Sequence, residues 1–156
     1  MKKLLLLLLL TVFGTGQAYS QMDIKVGVHG GIPAGDVDDF SSFTASVDAA
    51  YLLSLADIVE VGPLVGYSHF FGEDDFDDFQ FVPIAAAGRL GLPQSIFVGL
   101  DLGYAIALED NWDGGFYYRP QVGYNFLMVA LVVSYSGISD DNFNVSSINF
   151  GVEFNL

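Results

Sequence analysis

Residues 96–108 read IFVGLDLGYAIAL, and this stretch decides the class of fold. Bulky apolar side chains occupy every second position, whereas mostly small or acidic residues occupy the positions between them. A repeat of two residues is typical of a β-strand whose faces meet different surroundings. The bulky face would carry Ile96, Val98, Leu100, Leu102, Tyr104, Ile106 and Leu108, and the other face Phe97, Gly99, Asp101, Gly103, Ala105 and Ala107.

The same alternation recurs along the chain and predicts an all-β fold. Helical spacing is not sustained anywhere after residue 20, and no apolar run there approaches the roughly 18 residues that indicate a membrane helix. The predicted strands are eight: Ile24–Ile32, Phe43–Leu55, Ile58–Phe71, Gln80–Gly91, Ile96–Leu108, Phe116–Phe126, Met128–Ile138 and Phe143–Leu156.

The connections between these strands alternate in length. Those at 33–42, 72–79, 109–115 and 139–142 are longer and acidic, whereas those at 56–57, at 92–95 and around Leu127 are tight. All the long loops would then leave one end of an antiparallel up-and-down sheet. An even number of strands with short turns at one end is the layout of bacterial outer-membrane barrels.

The two strand faces indicate which one meets lipid. The interior of an eight-stranded barrel is filled by side chains and has no room for a complete bulky face, whereas the small and polar face fits there. We therefore predict an eight-stranded antiparallel transmembrane β-barrel with the bulky face in hydrocarbon. The alternative, a soluble secreted barrel that binds an apolar ligand, requires the bulky side chains inside.

Charged residues within the strands support this orientation, because they fall on the small and polar face. Buried ions must be paired, so these side chains should form a network that plugs the lumen and prevents a large pore. The predicted lumen network consists of Lys25, Asp48, Glu60, Arg89, Asp101, Arg119 and Glu153. Aromatic girdles are predicted near the two ends of the strands, from Phe43, Phe71, Phe116, Tyr118 and Tyr135 at the loop end and Phe126 and Phe154 at the turn end.

The N-terminus has the pattern of an export signal. Lys2 and Lys3 precede seven leucines, and small residues follow. We predict a cleaved signal at 1–20 and a barrel domain at 21–156, and cleavage would change the formal charge from −14 to −16 because it removes two lysines. Such a charge repels nucleic-acid phosphates, so we expect no nucleic-acid partner. The chain has no cysteine, which excludes disulfides and thiolate metal sites.

Most acidic residues are predicted at the loop end, outside the membrane. The segment Glu73–Asp78 offers oxygen ligands but lacks the spacing of a calcium-binding loop, so we predict no metal site and no cofactor. Weak association of a cation, or of a surface protein, stays open. The predicted extracellular acidic residues are Asp36, Asp38, Asp39, Glu73, Asp74, Asp75, Asp77, Asp78, Glu109, Asp110, Asp113, Asp140 and Asp141.

Three segments resemble the small porin-like outer-membrane β-barrels of Bacteroidota, which share the architecture of the eight-stranded OmpA and OmpX barrels. The segments are IKVGVHGG at 24–31, VGPLVGY at 61–67 and NFGVEFNL at 149–156. The resemblance implies a location in the bacterial outer membrane, among its lipids, after insertion by the barrel-assembly machinery. It also implies an assembly signal in the last strand, formed here by Phe150, Val152, Phe154 and Leu156.

The resemblance leaves one enzymatic alternative, because small outer-membrane barrels include lipid A acylhydrolases and acyltransferases that use a histidine, a serine and an acid. His69 is near the loop end, but Ser68 points to the opposite face, so a triad would need Ser134 or Ser136. His29 precedes two glycines as in some esterases, yet the chain has no Gly-x-Ser-x-Gly motif. We expect a non-enzymatic protein with a structural role or a surface-interaction role through its acidic loops.

Overall fold

The computed structural model describes Lys3 and residues 22–34, 41–72, 78–108, 113–140 and 144–156. Apart from Lys3, the predicted signal at 1–20 lies outside these residues. No helix in the described part of the chain is long and apolar enough to cross a membrane.

Eight antiparallel strands form one closed barrel in the order of the sequence, and β8 pairs with β1. This arrangement confirms the predicted fold class and all eight strands. The largest boundary differences are two residues, as at the start of β1 and of β6. The strands are β1 Met22–Ala34, β2 Ser41–Ala56, β3 Val59–Gly72, β4 Phe79–Gly91, β5 Ile96–Ala107, β6 Gly114–Phe126, β7 Val129–Ser139 and β8 Asn144–Asn155.

The short connections lie at one end of the barrel, which we call the turn end. Asp57 and Ile58 join β2 to β3, residues 92–95 join β4 to β5, and Leu127 with Met128 joins β6 to β7. The backbone at Leu127 has a φ of 56°, in the left-handed region that glycine and asparagine favour. The opposite, loop end carries the longer connections.

The alternation of the sequence becomes an alternation between the outside of the barrel and the lumen. Outward side chains such as Phe150 and Leu131 are 64% and 61% exposed, whereas inward neighbours such as Asn149 and Ala130 are buried. The bulky face therefore points outward, opposite to what a soluble barrel with an apolar interior requires. An apolar exterior of this kind is what a transmembrane barrel presents to lipid.

Apolar side chains fill the loop-end part of the lumen. Phe70 stacks on Phe79 with ring centroids 5.2 Å apart, and Phe81 packs edge-on against Phe70 at 5.6 Å. Buried Tyr117 and Ile138 belong to the same cluster. This aromatic plug, which closes the lumen above the charged residues, was not predicted from the sequence.

Aromatic residues also lie outside the barrel near the loop end, as the girdle prediction requires. Phe43 and Phe71 are 5.9 Å apart between ring centroids, and Tyr118 lies 6.1 Å from Phe116 and 6.4 Å from Tyr135. At the turn end Phe126 and Phe154 are exposed on the outer face.

Candidate functional site

The centre of the lumen contains a buried charge network around Asp101. This carboxylate is fully buried and accepts three hydrogen bonds, from Arg89 Nη1 at 2.7 Å, Arg119 Nε at 2.8 Å and Gln121 Nε2 at 3.0 Å. The register of the sheet causes this arrangement, because Asp101 on β5 lies directly opposite Arg119 on β6. Charge-assisted hydrogen bonds of this length are the strong class of protein hydrogen bond.

The network extends across the lumen from both guanidinium groups. Arg119 Nη1 donates to Asp48 Oδ2 at 2.7 Å, which links β6 to β2. Arg89 Nη2 lies 3.9 Å from Glu153 Oε2 on β8, within ion-pair distance but beyond a hydrogen bond. We call Asp48, Arg89, Asp101, Arg119, Gln121 and Glu153 the central network.

A second ion pair lies closer to the turn end. Lys25 Nζ on β1 is 3.2 Å from Glu60 Oε2 on β3. The structure thus brings five of the seven predicted lumen charges into one chain of contacts and the other two into this separate pair. All seven side chains point into the lumen, where they occupy the space that a pore would need.

Sequence reasoning missed His29, which also lies in the lumen. Its Nε2 atom is 2.9 Å from Asp48 Oδ2, although the two groups are not aligned as a hydrogen bond. A Cβ atom at Gly27 would lie 2.6 Å from His29 Nε2, and one at Gly151 would collide with Nδ1. These glycines make room for the imidazole, and the alternation that starts at Lys25 could have identified His29 as a lumen residue.

A layer of uncharged polar side chains separates the central network from the aromatic plug. Asn149 Nδ2 donates to Ser136 Oγ at 3.0 Å, Ser136 and Ser147 hydroxyls are 2.8 Å apart, and Thr44 Oγ1 donates to Asn149 Oδ1 at 3.2 Å. The cavity that these side chains line together with Phe70 and Tyr117 measures about 10 Å³, which is the lower limit of the space that one water molecule needs.

The second candidate site lies outside the barrel near the loop end. His69 Nε2 is 2.8 Å from Asp78 Oδ2, and His69 Nδ1 is 3.1 Å from the Tyr67 hydroxyl. Because a carboxylate only accepts, we assign the imidazole proton to Nε2, which leaves Nδ1 to accept from the tyrosine. We call Tyr67, His69 and Asp78 the outer cluster.

Asp78 also closes the base of the loop that precedes β4. The backbone N–H of Gly72 donates to Asp78 Oδ1 at 2.6 Å, so one carboxylate contacts both the end of β3 and His69. Hydrogen bonds from His69 and then from Gly72 favour the charged form and lower the pKa of Asp78 below its usual range.

The serines considered for a catalytic triad lie apart from His69. Ser134 and Ser136 on β7 point into the lumen, where Ser136 contacts Ser147 and Asn149. His69 points outward, and its partners are a carboxylate and a phenol. The alternation of β3 could have identified Tyr67, because it lies two residues before His69 on the same face.

Of the predicted acidic loop residues, the structure describes Asp78, Asp113 and Asp140, all at the loop end. The others, Asp36, Asp38, Asp39, Glu73, Asp74, Asp75, Asp77, Glu109, Asp110 and Asp141, lie outside the described residues. Within the described ranges, no group of three or more histidine, aspartate or glutamate side chains could hold a metal ion.

The fold and its plugged lumen define a class, the small eight-stranded transmembrane barrels. No protein-family model matches the chain. No curated protein matches it either. Solved structures do match it, but the three described next share only 12–15% sequence identity with this chain, so the similarity is one of fold.

Three solved outer-membrane barrels have a similar fold. Ail, the attachment invasion locus protein of Yersinia pestis, has 13% identity and a TM-score of 0.59, with 86% of this chain and 97% of that protein covered. Neisserial surface protein A has 15% identity and a TM-score of 0.54, with 87% and 98% covered. The outer membrane enzyme PagL has 12% identity and a TM-score of 0.57, with 83% and 98% covered. The predicted resemblance to eight-stranded outer-membrane barrels is confirmed at the level of fold, and an origin in Bacteroidota stays a prediction.

Proposed function

We propose that this protein is an integral protein of the bacterial outer membrane that acts structurally or through its acidic loop end, without forming a large pore. One observation carries the proposal: bulky side chains cover the outside, whereas ion pairs and an aromatic plug fill the lumen. An eight-stranded interior of this kind leaves no space for solute passage.

The route to the membrane is part of the same proposal. Removal of residues 1–20 would release a barrel domain at 21–156, and the barrel-assembly machinery would recognise its last strand. Phe150, Phe154 and Leu156 are exposed on one outer face of β8 and its end, with Val152 between them. This alternating apolar face supports the assignment of an assembly signal.

The surface role follows from the distribution of charge. Lys25, Arg89 and Arg119 are the only basic residues after Lys3, and all three are buried in the lumen. Ail has been crystallised with the heparin analogue sucrose octasulfate, a polyanion. We propose the opposite preference here, namely a cation or a basic segment of a surface protein, because the 19 acidic residues repel polyanions and no lysine or arginine after Lys3 is exposed to offset them.

Gel migration and fractionation test the membrane assignment. We expect the protein in the outer-membrane fraction, extractable only with detergent, and a faster band in unheated than in boiled SDS samples. Recovery without detergent, together with a single band at both temperatures, would contradict the proposal.

Binding to charged resins tests the surface role. The folded protein in detergent should bind a poly-lysine resin and not a heparin resin, and salt should release it because the attraction is electrostatic. A variant with Asp74→Asn, Asp75→Asn and Asp77→Asn should elute at lower salt. Retention on heparin would refute the predicted preference without affecting the membrane assignment.

A second candidate function, acyl-ester chemistry on lipid A, is favoured by the outer cluster. Asp78 orients His69, and His69 Nδ1 accepts a hydrogen bond from the Tyr67 hydroxyl. This is the arrangement of nucleophile, base and orienting acid used in covalent catalysis, with a phenol in place of serine. Mass spectrometry of lipid A from cells with the wild-type protein, Tyr67→Phe or His69→Ala tests it. A mass change that only the wild type produces supports the enzyme, and identical spectra reject it.

A further inference from the structure

The turn end of the barrel exposes apolar side chains at positions where soluble hairpins carry polar residues. Leu127 is 88% exposed, Leu156 72% and Leu55 67%. Every tight connection contributes at least one such residue, and so does the end of β8. We call this set the turn rim; it comprises Leu55, Ile58, Leu92, Phe126, Leu127, Met128 and Leu156.

The backbone at the tip of the β6–β7 connection adds an independent observation. Leu127 has a positive φ of 56°, a conformation in which a bulky side chain is strained and glycine or asparagine is relaxed. The side chain gains almost no burial within the chain, because it is the most exposed apolar residue of the turn rim. A strained, exposed leucine implies a contact outside the chain that favours an apolar group.

The distribution of the turn rim indicates which kind of partner makes that contact. Its members lie at the β2–β3, β4–β5 and β6–β7 connections and beside the β1–β8 pairing, and so surround the whole circumference. A protein partner that docks from one side would cover one sector only. A lipid leaflet surrounds a barrel completely and favours apolar surface all round.

The turn rim is also continuous with the lipid-facing belt. Met22, Ile96 and Phe154, which are the outward residues nearest this end on β1, β5 and β8, are all exposed and apolar. Asp57 is an exposed ionisable residue in the first tight turn, and its charge limits how deep that turn can lie. Apart from Asp57, and from Gln94 and Ser95 in the β4–β5 connection, the exposed residues at this end are apolar, so no continuous band of polar side chains separates the belt from the turns.

We propose that the turn rim lies within the turn-side leaflet, at the boundary between acyl chains and head groups, and not in the aqueous periplasm. This inference rests on the proposed membrane location. It makes the two ends of the protein unequal, because lipid would cover the turn end, whereas the loop end carries the acidic connections.

Fluorescence quenching in phosphatidylcholine vesicles tests the proposal. The background variant Trp112→Phe removes the single tryptophan, and Leu127→Trp then reports on the turn rim. Val133→Trp, on the outward face of β7, reports on the belt as a matched control. Bromines on the upper acyl carbons should quench Leu127→Trp as strongly as they quench Val133→Trp, whereas iodide in the water should quench neither.

The outcomes separate the two proposals. If bromines fail to quench Val133→Trp, the barrel is not in the bilayer and the proposed function fails. If Val133→Trp is quenched but Leu127→Trp responds only to iodide, the turn lies in water and the inference is overturned. Protection of Leu127→Trp from both quenchers would place a second copy or another protein there and would also overturn it. Met128→Trp, in the same turn, gives the same readout if Leu127→Trp fails to fold.

Discussion

Replacement of Asp101 by asparagine should destabilise the barrel more than any other removal of a single carboxylate charge. Asp101 is fully buried and holds Arg89 and Arg119 together with Gln121. The asparagine side chain would have almost the same shape but one acceptor oxygen and no charge. The carboxylates left beside the two buried guanidinium groups would then be Asp48 and, at 3.9 Å, Glu153.

The expected loss follows from those contacts. Hydrogen bonds to charged groups contribute about 1.5–3 kcal/mol each, so three of them set an upper bound near 9 kcal/mol. The net loss is smaller, because the asparagine oxygen still accepts and the desolvation cost of the carboxylate disappears. Removal of one member of a buried pair typically costs about 3–5 kcal/mol, and we expect the free energy of unfolding to fall by that amount.

Urea unfolding in lipid vesicles, followed by circular dichroism and by heat-dependent gel migration, measures this loss. Asp57→Asn is the matched control, since Asp57 lies exposed in a tight turn, and it should change the free energy by less than about 0.5 kcal/mol. The reasoning is refuted if Asp101→Asn costs less than about 1 kcal/mol at an unchanged denaturant slope, because the buried guanidiniums would then not depend on this carboxylate.

Three further predictions concern the lumen wall, the loop end and conductance. Gly151→Ala should lower the free energy of unfolding by about 1–3 kcal/mol in the same urea assay, because the added methyl group collides with His29. Gly88→Ala is the control and should change it little, because a Cβ atom there would lie 3.7 Å from the nearest atom. The amide proton shift of Gly72 should titrate with Asp78, because the Gly72 N–H donates to the Asp78 carboxylate. Since the pKa of Asp78 is lowered in the folded protein, this contact should be intact above about pH 4, the pKa of an unfolded aspartate, and should be lost as the pH falls through the folded pKa. A titration midpoint at or above about 3.9 in NMR spectra would contradict this prediction. In planar bilayers the protein should show no stable channel openings, and reproducible unitary currents would contradict the plugged lumen.

The strands were predictable because each one has two unlike faces. In β5 the alternation assigns Asp101 and Leu102 to opposite sides without any knowledge of the neighbouring strands. The same rule predicted which charges enter the lumen. It could not predict which charges pair, because the contact between Arg119 and Asp48 crosses the barrel and depends on the stagger of distant strands.

The outer cluster shows a different limit of sequence reasoning. Asp78 was assigned to a solvated acidic loop together with its neighbours, since composition treats all these carboxylates alike. Its contacts to His69 and Gly72 depend on the hairpin geometry between β3 and β4, which brings residue 78 back beside the strand it follows. His29 was missed because it was considered with Gly30 and Gly31 as a local motif, and its lumen partner Asp48 lies on another strand.

The burial of every basic side chain after Lys3 has a consequence for proteolysis. Trypsin-like proteases cleave after lysine or arginine, and beyond the first residues the chain offers only Lys25, Arg89 and Arg119. All three are buried and lie in paired strands, so a folded barrel presents no cleavable bond. An unfolded barrel presents two, after Lys25 and after Arg89, because Pro120 follows Arg119 and trypsin-like proteases do not cleave before proline. The burial of these side chains in the ion pairs of the lumen should thereby make the folded barrel resistant to trypsin-like proteases until it unfolds.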